Sequence, residues 1–220
     1  MLRTSAHVLI AAAILACAAS TAHAGDGDDA TTDRIFGVLP NYATIDPPVH
    51  GTAPPALPAQ TTRDAFKVAS LGTFDPVVYP FVAATTALGQ GSQGSTYGVR
   101  YATAFADNAI GNFMTTAMVP SLTHEDSRYY RRGEGRVFSR LGYAASRSVV
   151  TRTRAGAPTF NLSEVTGTAA AAGLSNLYYS SAARTVSGTM SRWGTQVMWD
   201  TVANELKEFW PDIHSRLHKH

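Results

Sequence analysis

Apolar residues recur at helical spacing through most of the chain after Gln60, and no stretch shows the sustained alternation of a half-buried strand. Thr61 or Thr62 can cap a first helix running to Leu71, with Asp64 in the opening turn where the helix dipole favours an anion. Pro76 opens a second helix that ends near Gly89, and Pro80 keeps it short or bent. Ser95–Val119 reads as the longest segment. Its Gly98, Ala102, Ala106 and Ala109 form a stripe that lets another helix approach closely. Arg136–Thr151 is a fourth helix, with Val137, Leu141, Ala144 and Ser148 on one face and Arg136, Arg140, Tyr143 and Arg147 on the other. Asn161 and Glu164 have capping-box spacing ahead of a fifth, over Gly167–Tyr178. In the sixth, Met190, Trp193, Val197, Thr201, Leu206 and Phe209 recur together, Glu205, Lys207 and Glu208 take the wet side, and Pro211 stops it. The expected fold is all-α, a compact bundle of about six helices over residues 61–212, followed by a His-rich tail at 213–220.

An internal echo runs through this domain. Tyr129-Tyr130 followed by Ser139-Arg140-Leu141-Gly142 matches Tyr178-Tyr179 followed by Ser191-Arg192-Trp193-Gly194. A true duplication makes the core a pair of packed helical hairpins.

Ahead of the domain the pattern changes. Arg3, the apolar run Val8–Ala16 and the small-x-small Ala22-His23-Ala24 read as a secretory signal over 1–24, cleaved after Ala24. An N-terminal anchor helix is the alternative, but the apolar run falls short of the roughly 20 residues that cross a bilayer. Cys17, the only cysteine, lies inside this segment; Ile14-Leu15-Ala16-Cys17 loosely resembles a lipoprotein signal, so lipidation is a third outcome. Cleavage after Ala24 leaves a thiol-free chain, which removes disulfides and cysteine chemistry together. Residues 25–60 carry four aspartates up to Asp33 and then six of the chain's eleven prolines, and read as a disordered acidic and Pro-rich arm. The apolar island Ile35–Leu39 within it can dock back on the domain.

Composition adds one lead. Charged residues are only 15% of the 220, with a net charge of +2, so no global field points to nucleic acid. Locally, eight arginines between Arg128 and Arg154 oppose Glu134 alone, +7 over 27 residues. The guanidinium fork suits phosphate and carboxylate, and Arg128, Arg131, Arg132, Arg136, Arg140 and Arg147 are the anion-binding candidates. A solvated helix face neutralised by nearby acids explains the same run without a ligand.

Other motifs are weaker. Gly89-Gln90-Gly91-Ser92-Gln93-Gly94 spells G-x-G-x-x-G, but follows a helix and lacks the downstream acid, so it reads as a helix–helix connector. Ser175 lacks a nucleophile elbow's second glycine. Asn161-Leu162-Ser163 is a formal glycosylation sequon whose Asn serves as a helix cap. His124, Glu125 and Asp126 are the catalytic candidates; adjacent residues seldom converge, so such a centre needs distant help from Asp107, Glu164 or Asp200. The competing reading is a polar turn paired to the arginines that follow. His214 and His218, at i,i+4 spacing, are candidates for a metal in a frayed tail. No cofactor is implied.

Asp33-Arg34-Ile35-Phe36-Gly37 with Pro40-Asn41-Tyr42, Ala104-Phe105-Ala106-Asp107 running to Asn112, His124-Glu125-Asp126-Ser127-Arg128-Tyr129-Tyr130 and Glu208-Phe209-Trp210-Pro211-Asp212 together resemble a family of small exported bacterial proteins of unknown function. The resemblance covers most of the mature chain and implies no activity, cofactor or site. The functional expectation is a non-catalytic periplasmic or secreted envelope protein, binding anionic lipid, glycan or a protein partner through its arginines and associating peripherally with a membrane. A hydrolase centred on His124-Glu125-Asp126 and an integral helical protein are the alternatives. Arg100, Asp107 and the Ser/Thr content of Val165–Ala183 weigh against the integral one.

Overall fold

The computed structural model describes residues 34–35, 41–47, 58–93 and 95–217. The expected signal, Cys17, Phe36–Leu39, Gly94 and His218 lie outside them. The fold is mainly helical, with helices α1 (Thr62–Thr73), α2 (Val78–Ala87), α3 (Tyr97–Phe113), α4 (Val119–Thr123), α5 (Val137–Ser146), α6 (Leu162–Leu174) and α7 (Val186–Leu217). A π-helical turn, Met114–Met118, joins α3 to α4, so the described residues form six helical runs.

Local chemistry sets the starts. Thr61 caps α1 in a full capping box with Asp64: its hydroxyl accepts from the Asp64 N–H at 3.1 Å and its own N–H donates back at 3.2 Å. Asn161 accepts from the Glu164 N–H at 2.9 Å, and its side-chain amide also donates to the Arg147 carbonyl at 2.7 Å. Only half of the expected box forms at α6, because the Glu164 side chain turns inward. Gly91 links α2 to α3 at φ +86°, where a Cβ would lie 2.1 Å from the Arg100 carbonyl oxygen. That position admits only glycine.

Two prolines explain the longest runs. Pro120 has no N–H for the carbonyl four residues back, Thr116, which accepts from the Ser127 hydroxyl at 2.9 Å instead. Pro211, expected to stop the last helix, sits inside it, and α7 at 32 residues is the longest element. The freed Lys207 carbonyl accepts from Arg131 Nε at 2.6 Å, so an arginine stands in for the missing N–H.

Short strands were not expected. Glu125–Asp126 (β2), Val150–Thr153 (β4) and Pro158–Phe160 (β5) form an antiparallel sheet in the order β2-β4-β5. This shortens the fourth helix, which yields to β4 after Ser146. Thr44–Ile45 (β1) runs parallel to Tyr129–Tyr130 (β3). Ile35 is buried and residues 41–47 are docked, so these parts of the expected arm belong to the domain. Arg34 reaches Asp75 at 2.7 Å, and the Tyr42 hydroxyl donates to the same carboxylate at 2.6 Å.

The core is made of small side chains. Ala65, Ala69 and Ala117 pack together, as do Val78, Val82 and Ala104. Gly167 of α6 brings that helix onto the π turn, where a Cβ would meet the Met114 carbonyl carbon at 3.2 Å. The small-residue spacing in α6 thus serves close packing. On α5 Ala144 is buried and the line continues to Ser148, as expected, but Arg140 joins that buried line and Val137 faces out, against the expected faces. The two Tyr-Tyr pairs also differ: one is strand β3, the other leaves a 3₁₀ turn at Ser175–Leu177. Helix α7 packs closely on α5 and α6. Between it and α2 and α3 lies a cavity of about 420 Å³.

Candidate functional site

The arginine-rich run divides into two populations. Arg128 grips Asp126, donating from Nε at 2.9 Å and from Nη2 at 2.6 Å, while the Tyr130 hydroxyl donates to the same carboxylate at 2.7 Å. Burial on its own would raise Asp126, but these donors and the Arg128 N–H outweigh it and hold the carboxyl below its usual range. Burial and this bond together push the Tyr130 phenol up to about 12. Arg131 is buried, paired with Asp46 as well as with the Lys207 carbonyl. Arg140 is buried too: its Nε donates to Glu208 at 2.9 Å, it pairs with Asp212, and it lies 4.5 Å from the centre of the Phe209 ring.

Glu208 is the hub of this region. Its carboxylate, fully buried, accepts from the Tyr129 hydroxyl at 2.9 Å, from the backbone N–H groups of Arg132 and Gly133 at 2.9 and 3.0 Å, and from Arg140. The wet-side assignment for Glu208 therefore fails, since helical spacing carries no information about a carboxylate whose donors arrive from another element. Lys207 likewise borders the interior cavity.

The other arginines keep their charge available. Arg132 and Arg136 are exposed at the start of α5. Arg136 directly precedes Val137 and Phe138, 59% and 87% exposed, and Arg132, in the loop before it, donates from Nη1 to the Ser139 hydroxyl at 3.0 Å. Arg147 and Arg152 are half-buried, each stacked on a tyrosine face: Arg147 lies 4.6 Å from the Tyr143 ring centre and Arg152 4.7 Å from that of Tyr130. Arg152 was not among the six candidates. Neither of these two meets a carboxylate in an ion pair among the described residues. The structure thus brings Arg128, Arg131 and Arg140 to acids, while Arg132, Arg136 and Arg147 meet none in an ion pair among the described residues.

His124, Glu125 and Asp126 do not converge. His124 ends α4 in a left-handed conformation, φ 58°, and is exposed. Glu125 and Asp126 follow in β2, where neighbouring side chains point to opposite faces. Glu125 accepts from the Leu162 and Ser163 N–H groups at 3.1 and 2.9 Å and so caps α6, whereas Asp126 turns to Arg128. The supporting acids also separate. Asp107 accepts from the Tyr178 hydroxyl at 2.6 Å and from that of Tyr179, yet burial still raises its carboxyl.

Glu164 and Asp200 do meet, away from His124 and beside Lys207. Burial, then the charge of Asp200, push the Glu164 carboxyl up to about 9, so at neutral pH it is the protonated partner and donates to Asp200. Burial also raises Asp200, opposed by Lys207 and by that bond, and lowers the Lys207 ammonium, opposed by both carboxyls. Glu164 Oε1 is buried with no hydrogen-bond partner. Asp200 and Lys207 keep some accessible surface, and both border the cavity, which accounts for strong desolvation without tight packing.

His214 stacks on Trp210 at 5.2 Å between ring centres. Among the described residues no group of three or more His, Cys, Asp or Glu side chains is placed to hold a metal, and no helix is long and apolar enough to cross a membrane. No protein family, curated protein or solved structure matches the chain.

Proposed function

We propose that the protein is a non-catalytic component of the cell envelope that associates peripherally with an anionic lipid surface. The observation that carries this reading is the start of α5, where exposed Val137 and Phe138 directly follow exposed Arg136, with exposed Arg132 in the loop before it. Guanidinium groups attract anionic headgroups by roughly 1 kcal/mol each near such a surface. An aromatic ring beside them gains by leaving water at the headgroup boundary. The signal-like segment at 1–24 supports an envelope location. Internal pairing of Arg128, Arg131 and Arg140 narrows the contact from a whole helix face to this tip.

Sedimentation with phosphatidylglycerol-rich vesicles tests the reading. Wild type co-sediments at low salt and is released as salt rises. Arg132→Glu with Arg136→Glu abolishes that binding, and Phe138→Ser weakens the part that survives high salt. Co-sedimentation unchanged by all three substitutions would overturn it.

A further inference from the structure

Two cavities meet on one face of α7. The larger, about 420 Å³, is walled chiefly by apolar groups, among them Phe81, Val82, Trp199 and Leu206. The smaller, about 160 Å³, is mainly polar and is lined by Arg147, Arg152, Asn161 and Asn204. Asn112, Thr116, Asp200 and Lys207 border both, so the two spaces are neighbours. The larger one alone falls within the roughly 300–1,000 Å³ of small-molecule sites.

The charges around the smaller cavity do not balance. Asp126 is taken by Arg128 and Tyr130. Asp200 and Lys207 set one acid beside one base, and Glu164, pushed up to about 9, is neutral at pH 7. Two guanidinium groups are left over, those of Arg147 and Arg152, neither in an ion pair among the described residues; the Arg147 Nε is buried without a hydrogen-bond partner, while its Nη2 donates to the Ser146 hydroxyl at 3.3 Å. Their tyrosine stacking fixes the planes and leaves the N–H edges for an anion.

We propose that the paired cavities bind one single-chain anionic amphiphile, its carboxylate or phosphate head against Arg147 and Arg152 and its alkyl chain against Phe81, Val82, Trp199 and Leu206. This site lies in the interior and is independent of the exposed α5 tip. The polar space and the apolar space share part of their lining, so a head in one and a chain in the other are neighbours, and the two guanidinium groups give the head space the positive charge that an anionic head offsets.

Decanoate is the probe, titrated into the full chain at pH 7 by calorimetry, with tryptophan emission as a second signal. One decanoate binds per chain, and decanol and decylammonium bind at least tenfold more weakly. Arg147→Gln with Arg152→Gln lowers decanoate affinity at least tenfold. Ala203→Phe, which narrows the junction between the cavities, lowers it without touching a charge, so the proposal stays testable if the arginine variant does not fold. Phe138→Ser leaves decanoate binding intact, which separates this site from the vesicle contact. Decanol binding as tightly as decanoate would sink the anion assignment. Decylammonium binding more tightly would hand the head to Glu164 and Asp200, and no binding of any probe would remove the site; either result overturns the proposal.

Discussion

Glu208 and Glu164 are both buried glutamates that face neighbouring helices, and they are built in opposite ways. Around Glu208 four donors from β3, the turn after it and α5 saturate both oxygens. Around Glu164 one oxygen has no partner and the nearest charged group is another acid, Asp200. The difference separates two uses of a carboxylate. One is paired with a guanidinium and ties three segments together; the other is kept neutral beside open space, where a fold has nothing to gain from it.

Removing each acid should therefore give opposite results. Glu208→Ala strands the Arg140 guanidinium, a phenol and two backbone donors, and costs roughly 3–5 kcal/mol in urea unfolding, as breaking a buried pair does. Tyr129→Phe removes one of those bonds and costs roughly 1.5–3 kcal/mol in the same experiment, with the other three intact. Glu164→Gln goes the other way and depends on pH. Because folding raises this carboxyl from its usual 4.5 to about 9, its contribution is complete below about pH 4.5 and is lost as pH rises toward 9. Glu164→Gln then melts higher than wild type at pH 8 and close to it at pH 4; equal melting temperatures at both pH values would contradict the neutral assignment. The smallest effect is at the arm. Arg34→Ala costs roughly 1 kcal/mol, because the pair with Asp75 is partly solvated, and Tyr42 still holds that carboxylate.

What the sequence made legible follows from how local each signal is. The six helical runs and the Thr61 and Asn161 caps rest on spacing within one or two turns, and they stand close to where the pattern puts them. Strands β2, β4 and β5 are two to four residues long, too short to show alternation. Pro211 has the local signature of a helix end; the Arg131 side chain that lets the helix continue lies 76 residues from Lys207, whose carbonyl it satisfies. For the site, charge counting located the arginine run but could not separate Arg140, which pairs across the fold, from Arg147, which does not. Glu164 and Asp200 are legible only as distant acids able to help a centre at His124-Glu125-Asp126, which they do not reach. Their meeting, and Lys207 beside them, belongs to tertiary packing.

Pro211 leaves α7 incomplete until Arg131, the residue after strand β3, supplies a side chain. The final two turns of that helix therefore cannot mature as an autonomous unit. In amide hydrogen exchange they should gain and lose protection in step with Tyr129–Arg131, while the Val186–Gln196 end keeps its own timetable.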